Sequence, residues 1–474
     1  MDPSFVSVME SVFSPRSVAI IGASNNPKKI GWCYANSLIS LGFPRVYLVN
    51  RHEREVQGLP AYASILDIPD EVEQVVLITP AHDVLQTVEE CGRKGIRVGI
   101  VHTSGFSELG AEGVALQEDL VRTARAAGMR LIGPNCLGVH CPSSRLSFDS
   151  SILLDLDGPV GLISHSGSLS MFLSRLLSSF GLNTGKLVSC GNDADLTATD
   201  FLEYFGEDPA IRMVVMYLEG VRNGRHFFEV ARRVSARKPV IIWKGGATER
   251  GAQAASSHTG ALAGSAEVWR AVCKQAGVTL VGSTESLMDA ATAFWTTRLP
   301  RGRRVAIVSG LGGMGVSLAD ACIEAGLELA QLSPTTHQAL SQSVPGVGTS
   351  LGNPVDLGLW SRFHPDLYSV ALKAIDQDPG VDAMLVVTTV TWVGDYTRPI
   401  FVAMPKVRKP VVASVLGTME GFQARVPHFF AARVAPFFDT KRAARAIAWL
   451  YEYGAFLRRT GNTSQAEGFV GSRL

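Results

Sequence analysis

A histidine set among small residues, Ser256-Ser257-His258-Thr259-Gly260-Ala261-Leu262-Ala263-Gly264, is the segment of this chain best suited to group transfer. An imidazole titrates near neutrality, so a neutral, nucleophilic nitrogen is available at physiological pH. The neighbours of His258 have little bulk, which leaves the ring open to an approaching phosphoryl group. Small residues also suit a loop that must travel between sites. Taken alone, the same residues make an ordinary polar turn, so the rest of the chain decides between the two.

Three segments share one design: a short apolar strand, a Gly/Ser-rich turn, then a helix-like run. They begin at Val18, Val160 and Val305, a domain apart. A glycine-rich turn into a helix presents backbone N–H groups and the positive end of a dipole, a ready phosphate site. An α/β fold also needs such turns for tight connections. In the second turn the phosphate candidates are Ser164, Ser166, Gly167 and Ser168; in the third they are Gly312 and Gly313.

The first turn, from Gly22 through Ala23 and Ser24 to Lys28, lacks a clean GxGxxG. The next strand ends in Asn50-Arg51-His52, where an NAD site wants an acid for the ribose 2′-hydroxyl. A cation in place of that acid suits a nucleotide with extra phosphate on its ribose. Coenzyme A, with its 3′-phosphate and pyrophosphate, fits, and so does NADP.

Other chemistries lack their motifs. There is no GxxxxGK[ST], no HExxH and no EF-hand loop. Ser166 sits where a strand meets a helix, but a nucleophile elbow needs glycine two residues earlier, and Ser164 stands there. The seven cysteines show no close CxxC spacing, which fits reduced thiols of a cytoplasmic protein and predicts no zinc or other metal site. A net charge of +1 gives no electrostatic case for nucleic acid or a membrane surface. Residues Met1 to Ser14 carry no basic, apolar leader pattern, and no run of about 18 apolar residues predicts a membrane span.

Positioning these groups falls to short apolar runs alternating with helical patterns. That alternation means βαβ units and parallel sheets, whose strands are buried on both faces. The 474 residues, 46% hydrophobic, supply about three domains at roughly 150 residues each. The expected divisions are a segment 1–14, modules at 15–148, 149–298 and 299–459, and a loose tail 460–474.

The ordered motifs resemble one family. Ser17 to Ser24, Thr79-Pro80-Ala81, Thr103-Ser104-Gly105-Phe106-Ser107-Glu108 and Gly133-Pro134-Asn135-Cys136-Leu137-Gly138 are similar to the loops of its CoA-binding domain. Ser164-His165-Ser166-Gly167-Ser168, Gly191-Asn192-Asp193-Ala194-Asp195, Tyr217-Leu218-Glu219-Gly220 and the full His258 loop resemble its second domain. Gly312-Gly313-Met314-Gly315 and Gly352 to Leu357 resemble its third. From about Pro15 to about Arg459 the chain looks like the α subunit of the nucleoside-diphosphate-forming acyl-CoA synthetases, the superfamily of acetyl-CoA synthetase (ADP-forming) and succinyl-CoA synthetase.

The resemblance implies a Rossmann-like CoA-binding domain followed by two flavodoxin-like domains. It implies reversible conversion of acid, CoA and ATP to acyl-CoA, ADP and phosphate through an acyl phosphate. His258 then carries the phosphoryl group and Glu219 orients it. CoA contacts fall on Gly22, Ala23, Ser24, Lys28, Asn50, Arg51, Thr79, Pro80, Ser104, Gly105, Asn135 and Cys136. The second and third glycine turns would clamp phosphate. The ATP-grasp region of complete enzymes is absent, which implies a separate β subunit holding ATP or ADP with Mg²⁺, within a hetero- or homo-oligomer. Two departures stand out: His165 replaces a frequent glutamine, and Ser309 to Gly315 replaces a frequent NAGGPG. The competing readings are a non-catalytic CoA-binding regulator and an NADP-dependent oxidoreductase. The presence of both His258 and Glu219 favours the enzyme, since a CoA binder needs neither.

Overall fold

The computed structural model describes residues 2–149, 157–251, 253, 265–391 and 394–469. They fall into two compact units, Met1–Thr284 and Glu285–Leu474.

Unit one holds two seven-stranded sheets. In the first, Leu59–Tyr62, Val46–Val49, Val18–Ile21, Gln74–Leu77, Val98–Val101 and Arg130–Ile132 lie side by side and parallel, with the short strand Glu55–Val56 added antiparallel at one edge. The central strands VAII, QVVL and VGIV are buried at every position, which is why they read as continuous apolar runs. The order reverses between Val18–Ile21 and Gln74–Leu77, the dinucleotide-fold arrangement.

The second sheet runs Thr279–Val281, Val240–Lys244, Met213–Leu218, Val160–Ser164, Thr184–Ser189, then Gly138–Cys141 and Leu146–Ser147. The first five are the parallel 2-1-3-4-5 arrangement of flavodoxin-like folds, and the last two are antiparallel additions. Those two strands follow directly on the first sheet, so the chain crosses between sheets at Gly138. The N-terminal helix Pro3–Phe13 also belongs to this unit. Its Phe13 is fully buried and its ring stacks at 5.7 Å on Tyr204 of the second sheet's layer. Burial of such a ring stabilises by about 2–3 kcal/mol.

A buried carboxylate joins the two sheets. Asp195 accepts from Arg125 (2.8 Å), from Arg130 (3.0 Å) and from the Leu131 N–H (2.8 Å), and its side chain has 0% exposure.

Unit two contains the third sheet, in the order Glu328–Leu329, Arg304–Ser309, Ala383–Thr391, Val411–Gly417, Val434–Phe437. Its 2-1-3-4-5 pattern repeats that of the second sheet. Inside this unit Arg442, on the long helix Thr440–Arg459, grips Asp289 at 2.6 and 2.8 Å and Glu285 at 2.7 Å. Where a loose tail is expected from Thr460, residues Thr463–Gly468 form a short helix that buries Ala466. Among the described residues no helix is long and apolar enough to cross a membrane.

Asp195→Ala leaves two guanidinium groups and the Leu131 N–H without their acceptor. Because Arg125 and Arg130 retain water, the expected loss is about 2–3 kcal/mol, at the lower end for a broken buried pair. Urea unfolding followed by circular dichroism measures it.

Candidate functional site

The candidate site lies at the carboxyl ends of unit one's two sheets, where parallel α/β folds place their ligands. The first turn requires glycine. Gly22 has φ +97°, and a Cβ there would lie 2.6 Å from the Ile78 carbonyl oxygen; a Cβ on Gly31 would meet the Gly22 oxygen at 1.9 Å. The helix Ile30–Ser40 therefore starts hard against the turn. Asn50 completes it by donating to the Ala23 oxygen (2.8 Å) and accepting from the His52 N–H (2.8 Å). Ser24 accepts from the Asn26 N–H, while Lys28 and Arg51 stay exposed.

A cavity of ≈ 590 Å³ opens beside it. Thr79, Pro80, Ser104, Asn135 and Cys136 line it from the first sheet, and Gly167 and Ser168 line it from the second. The structure thus brings five sequence-derived CoA positions onto one wall with two phosphate positions. Gly22, Ala23, Ser24, Lys28, Asn50, Arg51 and Gly105 are not part of that wall. Gly105 instead donates its N–H to Glu108 at 2.6 Å, with φ +109°. Thr79 Oγ1 is buried with no hydrogen-bond partner among the described residues, an orphan that suits a polar ligand. Cys136 contributes bulk, not nucleophilicity. Its thiol points at the carbonyls of Val101 and Ile132, and burial pushes its pKa up to about 12.

One cavity residue, His102, and its partner Tyr34 were invisible to motif reading. His102 follows the strand Val98–Val101, and its Nδ1 lies 2.8 Å from the Tyr34 hydroxyl and 2.9 Å from the Cys136 oxygen. The Tyr34 hydroxyl donates to the Leu137 oxygen (2.7 Å), so it accepts from His102, whose Nδ1 carries the proton. Burial lowers the His102 pKa and keeps the ring neutral. Its place at a strand end was the available signal.

In the second turn Ser164, the last residue of its strand, closes a small ring. Its Oγ donates to the Ser166 oxygen (2.8 Å) and accepts from the Ser166 N–H (3.1 Å). Ser166 Oγ then caps the helix Gly167–Ser179 through the Leu169 N–H (3.4 Å). The first N–H groups of that helix have no intrahelical acceptors and stand at the cavity wall. Unit two repeats the ring in the third turn, where Ser309 Oγ meets the Leu311 oxygen at 2.8 Å and the Leu311 N–H at 3.0 Å. Gly312 and Gly313 open the helix there, and a Cβ on Gly312 would lie 2.7 Å from Asp356.

Glu219 follows the strand Met213–Leu218, beside Val160–Ser164, where the order of the second sheet reverses. It is 4% exposed and so is not a solvated strand-end acid. The Tyr217 hydroxyl donates to Oε1 at 3.4 Å. Lys244 ends the adjacent strand, buried, with Nζ 5.5 Å from the Trp269 ring centre. Burial lowers its pKa and the charge of Glu219 partly restores it. Sequence reading missed Lys244. His165 and Asp193 complete the cluster, with His165 Nε2 3.9 Å from Asp193 Oδ2. Burial drives His165 down to about 4 and Asp193 up to about 7. His258 and its loop lie outside the described residues, as do all of 254–264.

These two groups pull stability in opposite directions with pH. His165 binds fewer protons folded than unfolded, so its contribution rises with pH from about 4 to the unfolded value near 6.5. Asp193 binds more protons folded, so its contribution falls as pH rises from 3.8 towards about 7. Asp193→Asn removes the second effect and suits the left-handed backbone at φ +58°. Its unfolding free energy is expected to climb more steeply than wild type between pH 5 and 7, as measured by denaturant midpoints at three pH values.

Comparison with known proteins gives three family-model matches in order: a CoA binding domain over residues 16–142, a succinyl-CoA ligase like flavodoxin domain over 157–294, and a Ligase-CoA domain over 305–454. The chain is 38% identical to the α subunit of acetate–CoA ligase [ADP-forming] II of Pyrococcus furiosus, over 86% of this chain and 89% of that one. It is 37% identical to the α subunit of acetate–CoA ligase [ADP-forming] I of the same organism, over 94% and 97%. Among solved structures it is similar to dinucleotide forming acetyl-coenzyme A synthetase 1 of Ca. Korarchaeum cryptofilum in complex with phosphate and ADP. There the TM-score is 0.84 at 34% identity, covering 95% of this chain and 98% of that chain.

Proposed function

The chain belongs to the family of ADP-forming acetate–CoA ligase α subunits, and on that premise we propose that it is the catalytic α subunit of an acyl-CoA ligase working through a phosphohistidine at His258. The observation that carries this reading is Glu219, a buried carboxylate at the switch point of the second sheet. It neighbours a helix start that faces the same cavity as the CoA-domain loops. A CoA-binding regulator has no use for that carboxylate.

CoA enters along the first sheet. Thr79, Pro80, Ser104, Asn135 and Cys136 hold its thioester end in the cavity. Gly22, Ala23, Ser24 and Asn50 shape the turn against its pyrophosphate, and the exposed Lys28 and Arg51 meet its phosphates. The N–H groups of Gly167 and Ser168 hold inorganic phosphate, whose oxygen attacks the thioester carbonyl. The CoA thiolate leaves and takes a proton, giving an acyl phosphate. A ring nitrogen of His258 then attacks phosphorus and the carboxylate departs. Glu219 accepts the other ring N–H, fixes the tautomer and stabilises the cationic ring, as positioned acids do for histidine elsewhere. Catalysis here is placement and charge stabilisation.

The second half-reaction passes the phosphoryl group to ADP. The relatives at 37–38% identity are named as α subunits, which supports a partner subunit, and in this scheme the nucleotide and its Mg²⁺ sit on a separate ATP-grasp subunit. The Gly312–Gly313 helix start is a second anion site in this scheme.

The full chain, given acetyl-CoA and [³²P]phosphate, is expected to acquire acid-labile, base-stable label. His258→Ala abolishes it. Glu219→Gln slows it by about 10²- to 10³-fold, the scale of a lost general-acid/base or orienting group. A chain that binds CoA tightly in calorimetry yet takes no label is the non-catalytic regulator instead.

A further inference from the structure

The second turn holds one side chain whose role the phosphate-binding scheme leaves unused. His165 is 3% exposed and sits between the two strands where the sheet order reverses. Its backbone N–H donates to the Tyr217 oxygen at 3.1 Å, and its Nδ1 accepts the Glu219 N–H at 3.2 Å. An accepting Nδ1 carries no proton, so the neutral ring bears its proton on Nε2. Nε2 is buried, has no hydrogen-bond partner among the described residues, and faces Asp193 Oδ2 at 3.9 Å.

Asp193 is itself anchored. Its Oδ1 accepts the Ala198 N–H at 2.6 Å, and its carbonyl accepts from Arg222 at 2.6 Å. The charged groups around the ring are therefore Asp193 from the loop after Thr184–Ser189, Glu219 and Arg222 from the end of Met213–Leu218, and Lys244 from the end of Val240–Lys244.

We propose that His165 is a positioning residue for Glu219. Its neutral ring suspends the Glu219 backbone from Nδ1 and aims Nε2–H at Asp193, so that the acid is held in register with the helix start that binds phosphate. The proposal rests on the reading of Glu219 as the partner of phosphorylated His258. What the position requires is a buried acceptor at the reach of Nδ1. A glutamine oxygen meets that requirement. A side chain of similar bulk without an acceptor fills the space but orphans the Glu219 N–H.

The test compares His165→Gln and His165→Leu with wild type in the full chain. Acetyl-CoA and [³²P]phosphate are the probes. The labelling rate is measured at saturation, together with the acetyl-CoA concentration for half-maximal rate. The leucine variant is expected to label about 10- to 100-fold more slowly, the scale of one orphaned buried donor, with its half-saturation unchanged. The glutamine variant is expected to return to within about threefold of wild type, as one restored hydrogen bond allows. A leucine variant at the wild-type rate overturns the proposal. So does a glutamine variant more than about tenfold below wild type, a result that stands even if the leucine variant fails to fold. A wild-type chain that takes no label overturns the reading of Glu219 and His258 on which the proposal rests, and the proposal with it.

Discussion

A carboxylate withdrawn from water at the end of a central strand is the constraint around which the first unit is arranged. Desolvating such a group costs several kcal/mol unless nearby dipoles and charges compensate. Around Glu219 those groups come from three strand ends: the Tyr217 hydroxyl, the Lys244 ammonium and the ring of His165, which holds its backbone. Each arrives because adjacent parallel strands finish at the same edge of the sheet. The flavodoxin-like strand order supplies the gap between outgoing helices in which the acid sits. Sheet order, burial and chemistry are here one fact.

The same logic explains why two sheets share one cavity. The chain leaves the first sheet through the Pro134–Leu137 loop and pairs at once with the second, as Gly138–Cys141. That crossing sets the CoA-domain loops against the start of the helix Gly167–Ser179. Asp195 and Asn192 reinforce the joint from the second sheet's side: Asp195 takes two arginines, and Asn192 donates to Glu108 and Gln117 at 2.6 and 3.0 Å. The loops of the CoA-binding domain and the start of the helix Gly167–Ser179 therefore line one cavity within this unit.

Much of this was legible in the residues. Strands such as VAII and QVVL are buried on both faces, so their hydrophobicity is unbroken and their positions are readable. The turns were legible because tight strand-to-helix connections demand glycine or a serine that bonds its own backbone, as Ser164 and Ser309 do in identical fashion. What stayed hidden depends on contacts between distant residues. Tyr34 and His102 pair only after two βα units have folded, and Lys244 reaches Glu219 only across a strand pair. His165 stood out in the sequence only as a departure from a frequent glutamine, because its partner is a backbone N–H, which carries no sequence signature. Cys136 read as a cofactor contact, and only the fold shows that its thiol turns inward.

On the proposed route, inorganic phosphate is taken up into an acyl phosphate, whose phosphoryl group then passes to a ring nitrogen of His258. The most direct measurement is site mapping. The full chain is incubated with acetyl-CoA and phosphate, digested at alkaline pH to preserve phosphoramidates, and sequenced by electron-transfer mass spectrometry. The account predicts the phosphoryl group on His258. Phosphate on Ser164, Ser166 or any other residue, or none on any peptide, contradicts it.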